Sequence, residues 1–244
     1  MDQITIYGIH AILEALRNDK PIEKVWLLKG IKNPQFDTLI RALNERHVSF
    51  SFVPTERLQK FASKTHQGAV ARIAPVQTHA LEPLIENTLS KTTTPLFVIL
   101  DGITDARNFG AILRTAAATG VDGVIIPQSG SAPINGDTIK TSAGAIFKVP
   151  IARVAHLKDA LQLLQAYDIA TVGITEKATA LVYDEDFKQG IALVMGAEDK
   201  GISKGLFNLL QTHAKLPMHS DIDSLNVSVA CAVVLYEVVR QRLS

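Results

Sequence analysis

Three short stretches hold polar residues where their surroundings argue against them. In "DGITDARNFGAILRTAAATG", residues 101–120, Arg114 stands among Ile112, Leu113, Ala116, Ala117 and Ala118, with no carboxylate three or four positions away. A guanidinium is costly to bury unpaired among apolar side chains. It is therefore either an exposed helix residue or a charge kept for a ligand. Asn108 and Gly110 precede it in the spacing N-x-G-x-x-x-R, and Asn108 reads either as a helix N-cap or as part of a site. In "VMGAEDKGI", 194–202, Gly196 follows an apolar strand and Gly201 comes five residues later, so backbone N–H groups can approach a ligand closely. The plainer reading is a surface turn capped by Ser203, with Glu198 solvated. In "DIDSLNVSVACAVVLYE", 221–237, apolar positions are dense enough from Leu225 to predict a largely buried helix. Asn226 and Ser228 fall in its first turns, with Ser224 as a cap. Their polar groups must bond neighbouring backbone or a ligand.

The elements that hold these stretches alternate between strand and helix. From residue 95 onward, "PLFVILDG", "VDGVIIP", "DIATVGIT" and "GIALVMGAE" are apolar runs that read as strands buried on both faces, as in a parallel sheet. Helical stretches at 108–119, 156–166, about 203–210 and 224–242 separate them. The expected fold is a doubly wound α/β domain over 95–244, whose ligands lie beyond the carboxyl ends of the strands. Residues 1–75 predict a smaller α/β module of about three strands and three helices: helices in "GIHAILEALRN", "FDTLIRALNERH" and "PTERLQKFA", strands in "KVWLLKG", "VSFSFV" and "GAVARIAP". Residues 76–94, Thr-rich at their end, read as a linker with one short helix.

Composition narrows the chemistry. The 244 residues are 47% hydrophobic and 20% charged, as in an ordinary globular protein. A single cysteine, Cys231, excludes a disulfide framework and a cysteine-based zinc site, and the seven histidines show no metal-ligand spacing, so no metal is expected. No apolar run approaches a membrane span and no secretory leader pattern opens the sequence, so a cytoplasmic protein without a membrane partner is expected. Residues 1–75 hold 11 Lys+Arg against 7 Asp+Glu, a net +4, while 76–244 carry −3. That asymmetry suits a polyanion-binding module beside a small-molecule enzyme. The dinucleotide, P-loop and nucleophile-elbow signatures are absent, which argues against a dehydrogenase, an NTPase or an esterase.

Taken together, N-x-G-x-x-x-R-T, V-x-G-x-E-x-x-G-I and L-N-V-S-x-A-x-x-x-x-x-Y-E resemble the three motifs of the SpoU (TrmH) family, S-adenosylmethionine-dependent RNA ribose 2′-O-methyltransferases. The likeness spans residues 95–244. "IYGIHAILEAL", "HQGAVARIAP" and "YEVVRQR" extend it to the bacterial subfamily that methylates a guanosine of 23S rRNA. The resemblance implies an N-terminal RNA substrate-binding domain, a trefoil knot in the C-terminal half and a homodimer. The alternatives are a tRNA ribose 2′-O-methyltransferase and a non-catalytic RNA-binding or ribosome-assembly protein.

The same resemblance implies the site residues. Arg114 stands at the position of the family's general base. A guanidinium with a pKa above ~12 keeps its proton, so stabilisation of charge developing on the 2′-oxygen is the better role. Asn108 would fix the loop and the arginine, Glu198 would hold the guanidinium, and Asn226 and Ser228 would complete the polar shell. S-adenosylmethionine should meet Thr175, Met195, Gly196, Leu216, Met218 and Leu225, with "KLPMHSDIDSLN" closing over it. His66 and Gln67 are implied RNA contacts. Arg17, Lys29, Lys32, Arg41, Arg46 and Lys64 are candidate phosphate contacts by charge.

Overall fold

The computed structural model describes residues 3–31, 33–61, 66–219 and 224–243. Lys32, Lys64 and residues 220–223 of the expected closing segment lie outside these. Contacts divide the chain into two compact units, Met1–Val76 with Ile134–Lys148, and Gln77–Pro133 with Val149–Ser244. Among the described residues no helix is long and apolar enough to cross a membrane.

The first unit contains β1 (Ile4–Tyr7), α1 (Ile9–Arg17), β2 (Ile22–Leu28), α2 (Pro34–Glu45), β3 (Phe50–Val53), α3 (Thr55–Leu58), a 3-10 turn at Gln59–Phe61 and β4 (Ala69–Ile73). Its sheet has four strands in the order β1-β4-β2-β3, one more than expected. The strand not anticipated, β1, is four residues long and gains its register only by antiparallel pairing with β4. α2 starts as its sequence dictates: Asn33 Oδ1 accepts the Phe36 N–H at 2.8 Å and Pro34 occupies the first turn. α1 buries Ile9, Ile12, Ala15 and Leu16, and α2 buries Phe36, Leu39 and Leu43.

The second unit runs through α4 (Leu81–Leu89), β5 (Leu96–Asp101), α5 (Ala106–Thr119) and β6 (Gly123–Pro127). After an excursion holding α6 (Gly136–Thr141) come β7 (Ile151–Val154), α7 (Leu157–Ala166), β8 (Ala170–Ile174), β9 (Ala180–Leu181), β10 (Ile191–Gly196), α8 (Lys204–Phe207), β11 (Thr212–Lys215) and α9 (Val227–Leu243). Seven strands in the order β7-β6-β5-β10-β8-β11-β9 form a sheet in which every pair is parallel. Buried runs in β5 and β10 match the expected covering of both faces.

Three expectations need correction, and one gains detail. The stretch 76–94 carries the one short helix expected of it, α4, which buries Leu81, Leu84 and Ile85 in the core formed by Phe97, Ile99, Leu161 and Leu164. Residues 134–148, read as part of the 95–244 domain, cluster with the first unit. There a Cβ on Gly136 would fall 2.5 Å from the Thr5 carbonyl, so only glycine permits that approach. α8 is one turn rather than the length 203–210. Finally, α9 is not buried all round: Val229, Val233 and Tyr236, at helical spacing on one face, are 48%, 37% and 56% exposed.

Candidate active site

β8, β10 and β11 are neighbours in the sheet, and their carboxyl ends open on a cleft of about 400 Å³. All six residues expected to meet the cofactor line it. Thr175 follows β8, Met195 and Gly196 end β10, Leu216 follows β11, and Met218 and Leu225 flank residues 220–223. Glu176, Lys177, Glu198, Asp199 and Lys200 add charge of both signs to the lining. A cleft of this size, apolar with a few convergent polar groups, is in the range of small-ligand sites. The missing side chain of Gly196 also serves the turn itself. A Cβ there would lie 2.1 Å from Gly201 C, so the space is filled by the backbone of the turn itself. That turn is closed by reciprocal bonds between Ala197 and Gly201, at 3.2 and 2.8 Å, with Gly201 at φ +66°.

Glu198 projects from the same turn into a closed triangle of polar side chains. Its Oε1 accepts from Asn108 Nδ2 at 3.1 Å, from Asn226 Nδ2 at 2.5 Å and from the Val227 N–H at 3.4 Å. Asn226 Nδ2 also donates to Asn108 Oδ1 at 3.1 Å. Asn226 Oδ1 accepts the Ser228 N–H at 3.0 Å and the Ser228 hydroxyl at 2.6 Å. Asn226 thereby starts α9, so the cap is Asn226 and not Ser224. Asn108 does not cap α5 either, because Asp105 Oδ1 accepts the Arg107 and Asn108 N–H groups at 2.5 and 3.3 Å. Four polar residues from three distant stretches thus meet at the edge of the cleft. Glu198 Oε2 makes no hydrogen bond to any described residue and can accept one from a ligand.

Arg114 does not join them. It is exposed on α5 and makes no hydrogen bond or ion pair with any described residue. Glu198 therefore does not hold its guanidinium, as was expected. Six helical positions beyond Asn108 place Arg114 about 9 Å further along and a third of a turn away. Among the described residues no group of three or more His, Cys, Asp or Glu side chains is placed to hold a metal ion.

The candidate RNA contacts divide in the first unit. Lys29, His66 and Gln67 share one end of it. The Leu28 N–H donates to Gly68 O at 2.8 Å, His66 Nδ1 accepts the Gly68 N–H at 3.0 Å, and Gln67 Oε1 accepts the Ile9 N–H at 3.4 Å. Arg17 sits eight residues along α1 from Ile9, about 12 Å away, paired with Glu14 at 2.7 Å. Arg41 is exposed midway along α2, and Arg46 pairs with Asp19. One patch does not unite them.

Comparison with known proteins gives two family matches: the SpoU rRNA Methylase family over residues 95–236, and RNA 2'-O ribose methyltransferase substrate binding over residues 5–79. The chain is 38% identical over 242 residues to a 23S rRNA (guanosine-2'-O-)-methyltransferase of Pasteurella multocida, with 98% of each chain covered. Its fold is similar to that of the SpoU methyltransferase AviRb from Streptomyces viridochromogenes, solved with AdoMet, at TM-score 0.80, 22% identity and coverage of 99% of this chain and 91% of that one. The TrmH/SpoU tRNA modifying enzyme of A. aeolicus matches at TM-score 0.57 and 29% identity, covering 67% of this chain and 82% of its own.

Proposed function

Because the chain belongs to the SpoU rRNA methylase family, we infer that it transfers a methyl group from S-adenosylmethionine to a ribose 2′-hydroxyl, that of a guanosine in 23S rRNA. The observation that carries this reading is the convergence of the three motifs: six positions on one cleft, and Asn108, Glu198, Asn226 and Ser228 joined at its edge.

The donor set fits the cofactor. Peptide groups at the ends of three adjacent strands can hold an adenine edge, and Met195, Leu216, Met218 and Leu225 supply apolar walls. Glu176 and Glu198 give carboxylates for hydroxyls and for positive charge. When bound, the cofactor supplies a methyl group on a positively charged sulfur, which is already electrophilic. The residues of the chain then have to position the ribose, and positioning can supply much of the acceleration. Glu198 Oε2 accepts a hydrogen bond from a ribose hydroxyl, while Asn108 and Asn226 hold the carboxylate in place. Arg114 stabilises the negative charge that develops on the 2′-oxygen, and a substrate phosphate or water takes the proton.

Two features of the reading depend on assembly. α9 leaves Val229, Val233 and Tyr236 exposed along one face, a surface fit for a second copy in a homodimer. Since Arg114 stands apart from the triangle of its own chain, its charge serves the ribose held by the partner. The trefoil knot of the family belongs to the same proposal: α9 returns to pack along α5 after the residues that close the cleft. In the first unit, Lys29, His66 and Gln67 form an RNA-contacting end. A cytoplasmic location is part of the same proposal, since rRNA is the proposed substrate.

A tRNA target is less favoured, because the tRNA-modifying relative matches two thirds of this chain while the rRNA-acting relative matches nearly all of it. The test is to incubate the protein with methyl-labelled S-adenosylmethionine and separate pools of unmodified rRNA and tRNA. Label in the 23S pool supports the proposal, and label confined to tRNA overturns it.

A further inference from the structure

The turn 197–201 that presents Glu198 has a second cleft on it. About 510 Å³ in volume, it is lined by Asp101, Lys177, Ala197, Lys200, Gly201 and Lys204 among others. Three of its linings are lysines, and a fourth is close: a Cβ on Gly205 would lie 2.8 Å from Lys158 Nζ. All four are exposed. Lys158, Lys177 and Lys204 have no carboxylate within ion-pair distance among the described residues, and Lys200 has only Asp199, at 4.0 Å. Among the described residues the one carboxylate in the lining is Asp101, and its Oδ2 is engaged by the Ser203 N–H at 2.7 Å. These four lysines gather in a stretch, 76–244, whose net charge is −3. A local excess of unpaired cations against an acidic background is the electrostatic footprint of a polyanion contact.

We propose that this lysine-lined cleft seats backbone phosphates of the RNA substrate next to the ribose to be methylated. The proposal rests on the methyltransferase reading and adds to it Lys158, Lys177, Lys200 and Lys204 as RNA-positioning residues. Lys177, Ala197, Lys200 and Gly201 line both clefts, so a phosphate held here lies one turn of chain from the cofactor walls and from Glu198. Lysine suits the task, since a flexible ammonium tracks a phosphate without demanding a fixed approach. Such contacts carry no sequence information; they set the register of the strand at the site.

The test uses Lys158→Gln with Lys204→Gln, since neither residue lines the cofactor cleft. Binding of a 23S rRNA transcript is measured from low to moderate salt, alongside S-adenosylmethionine affinity and the thermal midpoint. A control pair, Lys91→Gln with Lys188→Gln, removes the same charge elsewhere. Loss of two phosphate contacts makes the slope of log K against log salt shallower by about 1.5, and the KM for RNA rises about tenfold with kcat retained. S-adenosylmethionine affinity and thermal midpoint stay as in the unsubstituted protein. An unchanged slope and KM overturns the proposal, as does an equal change in the control pair, or a loss confined to S-adenosylmethionine affinity. Because RNA binding is read without methyl transfer, the result decides the cleft even if the protein proves to have another activity. Absence of transfer in the unsubstituted protein would instead count against the methyltransferase reading.

Discussion

Arg114 is exposed and unpartnered in the described structure, although Asn108, Glu198 and Asn226 are joined to one another within one chain. On the proposed reading, its charge acts on a group outside its own chain. Lysine there keeps the charge but not the planar fork. Arg114→Lys should lower single-turnover methyl transfer by about 100-fold, the size of effect seen when a stabiliser of developing charge is removed, with S-adenosylmethionine affinity unchanged. A rate near normal would contradict the role. At the opposite extreme is Cys231, buried in α9, where burial pushes the thiol from 9.0 up to about 12. The folded chain keeps this proton at pH values where the unfolded chain has lost it. Its contribution to stability is thus complete below pH 9 and declines as the pH rises above that. Urea midpoints at about pH 8 and about pH 10 should differ more for the native chain than for Cys231→Ala. At the lower pH, thiol labelling should follow unfolding, and rapid labelling of the folded protein would refute the burial.

At the element scale, α9 is fixed at its far end by Arg242. Its Nε donates to Phe187 O at 2.9 Å, Nη1 to Thr94 O at 2.8 Å, and Nη2 to Gln189 O at 2.7 Å and Pro95 O at 3.4 Å. Desolvation lowers its pKa from the ordinary arginine value, a sign of how far the group is withdrawn from water. Arg242→Met leaves those carbonyls without their donor and should reduce unfolding free energy by about 2–3 kcal/mol in urea titration; a loss within error would show the clamp to be incidental. None of this was legible in "YEVVRQR", because the partners are carbonyls 53 to 148 residues away. The strands β5, β6, β8 and β10 were legible, being continuous apolar runs of strand length. β1, β7, β9 and β11 were not, since two to four residues carry too little pattern and depend on neighbours for their pairing. The site was readable as three separated stretches. Which oxygen Glu198 offers, and that Asp105 rather than Asn108 caps α5, only the assembled fold decides.

For the whole molecule, the proposed homodimer would use the apolar face of α9 and the isolated Arg114 together. Val233→Asp places a carboxylate in that face and should shift sedimentation from dimer to monomer, with methyl transfer lost in step; a dimer that persists would place the interface elsewhere. If Arg114 serves the partner, mixing Arg114→Ala with Glu198→Ala chains should restore part of the activity that each lacks alone, because a mixed dimer has one intact pair. The central claim concerns where the methyl group goes. A 2′-O-methyl removes the hydroxyl that attacks the neighbouring phosphate in alkali, so the linkage survives hydrolysis. Digesting 23S rRNA after reaction with methyl-labelled S-adenosylmethionine should release the label as 2′-O-methylguanosine within an alkali-resistant dinucleotide. Label on a base, in a linkage that alkali cleaves, would contradict it.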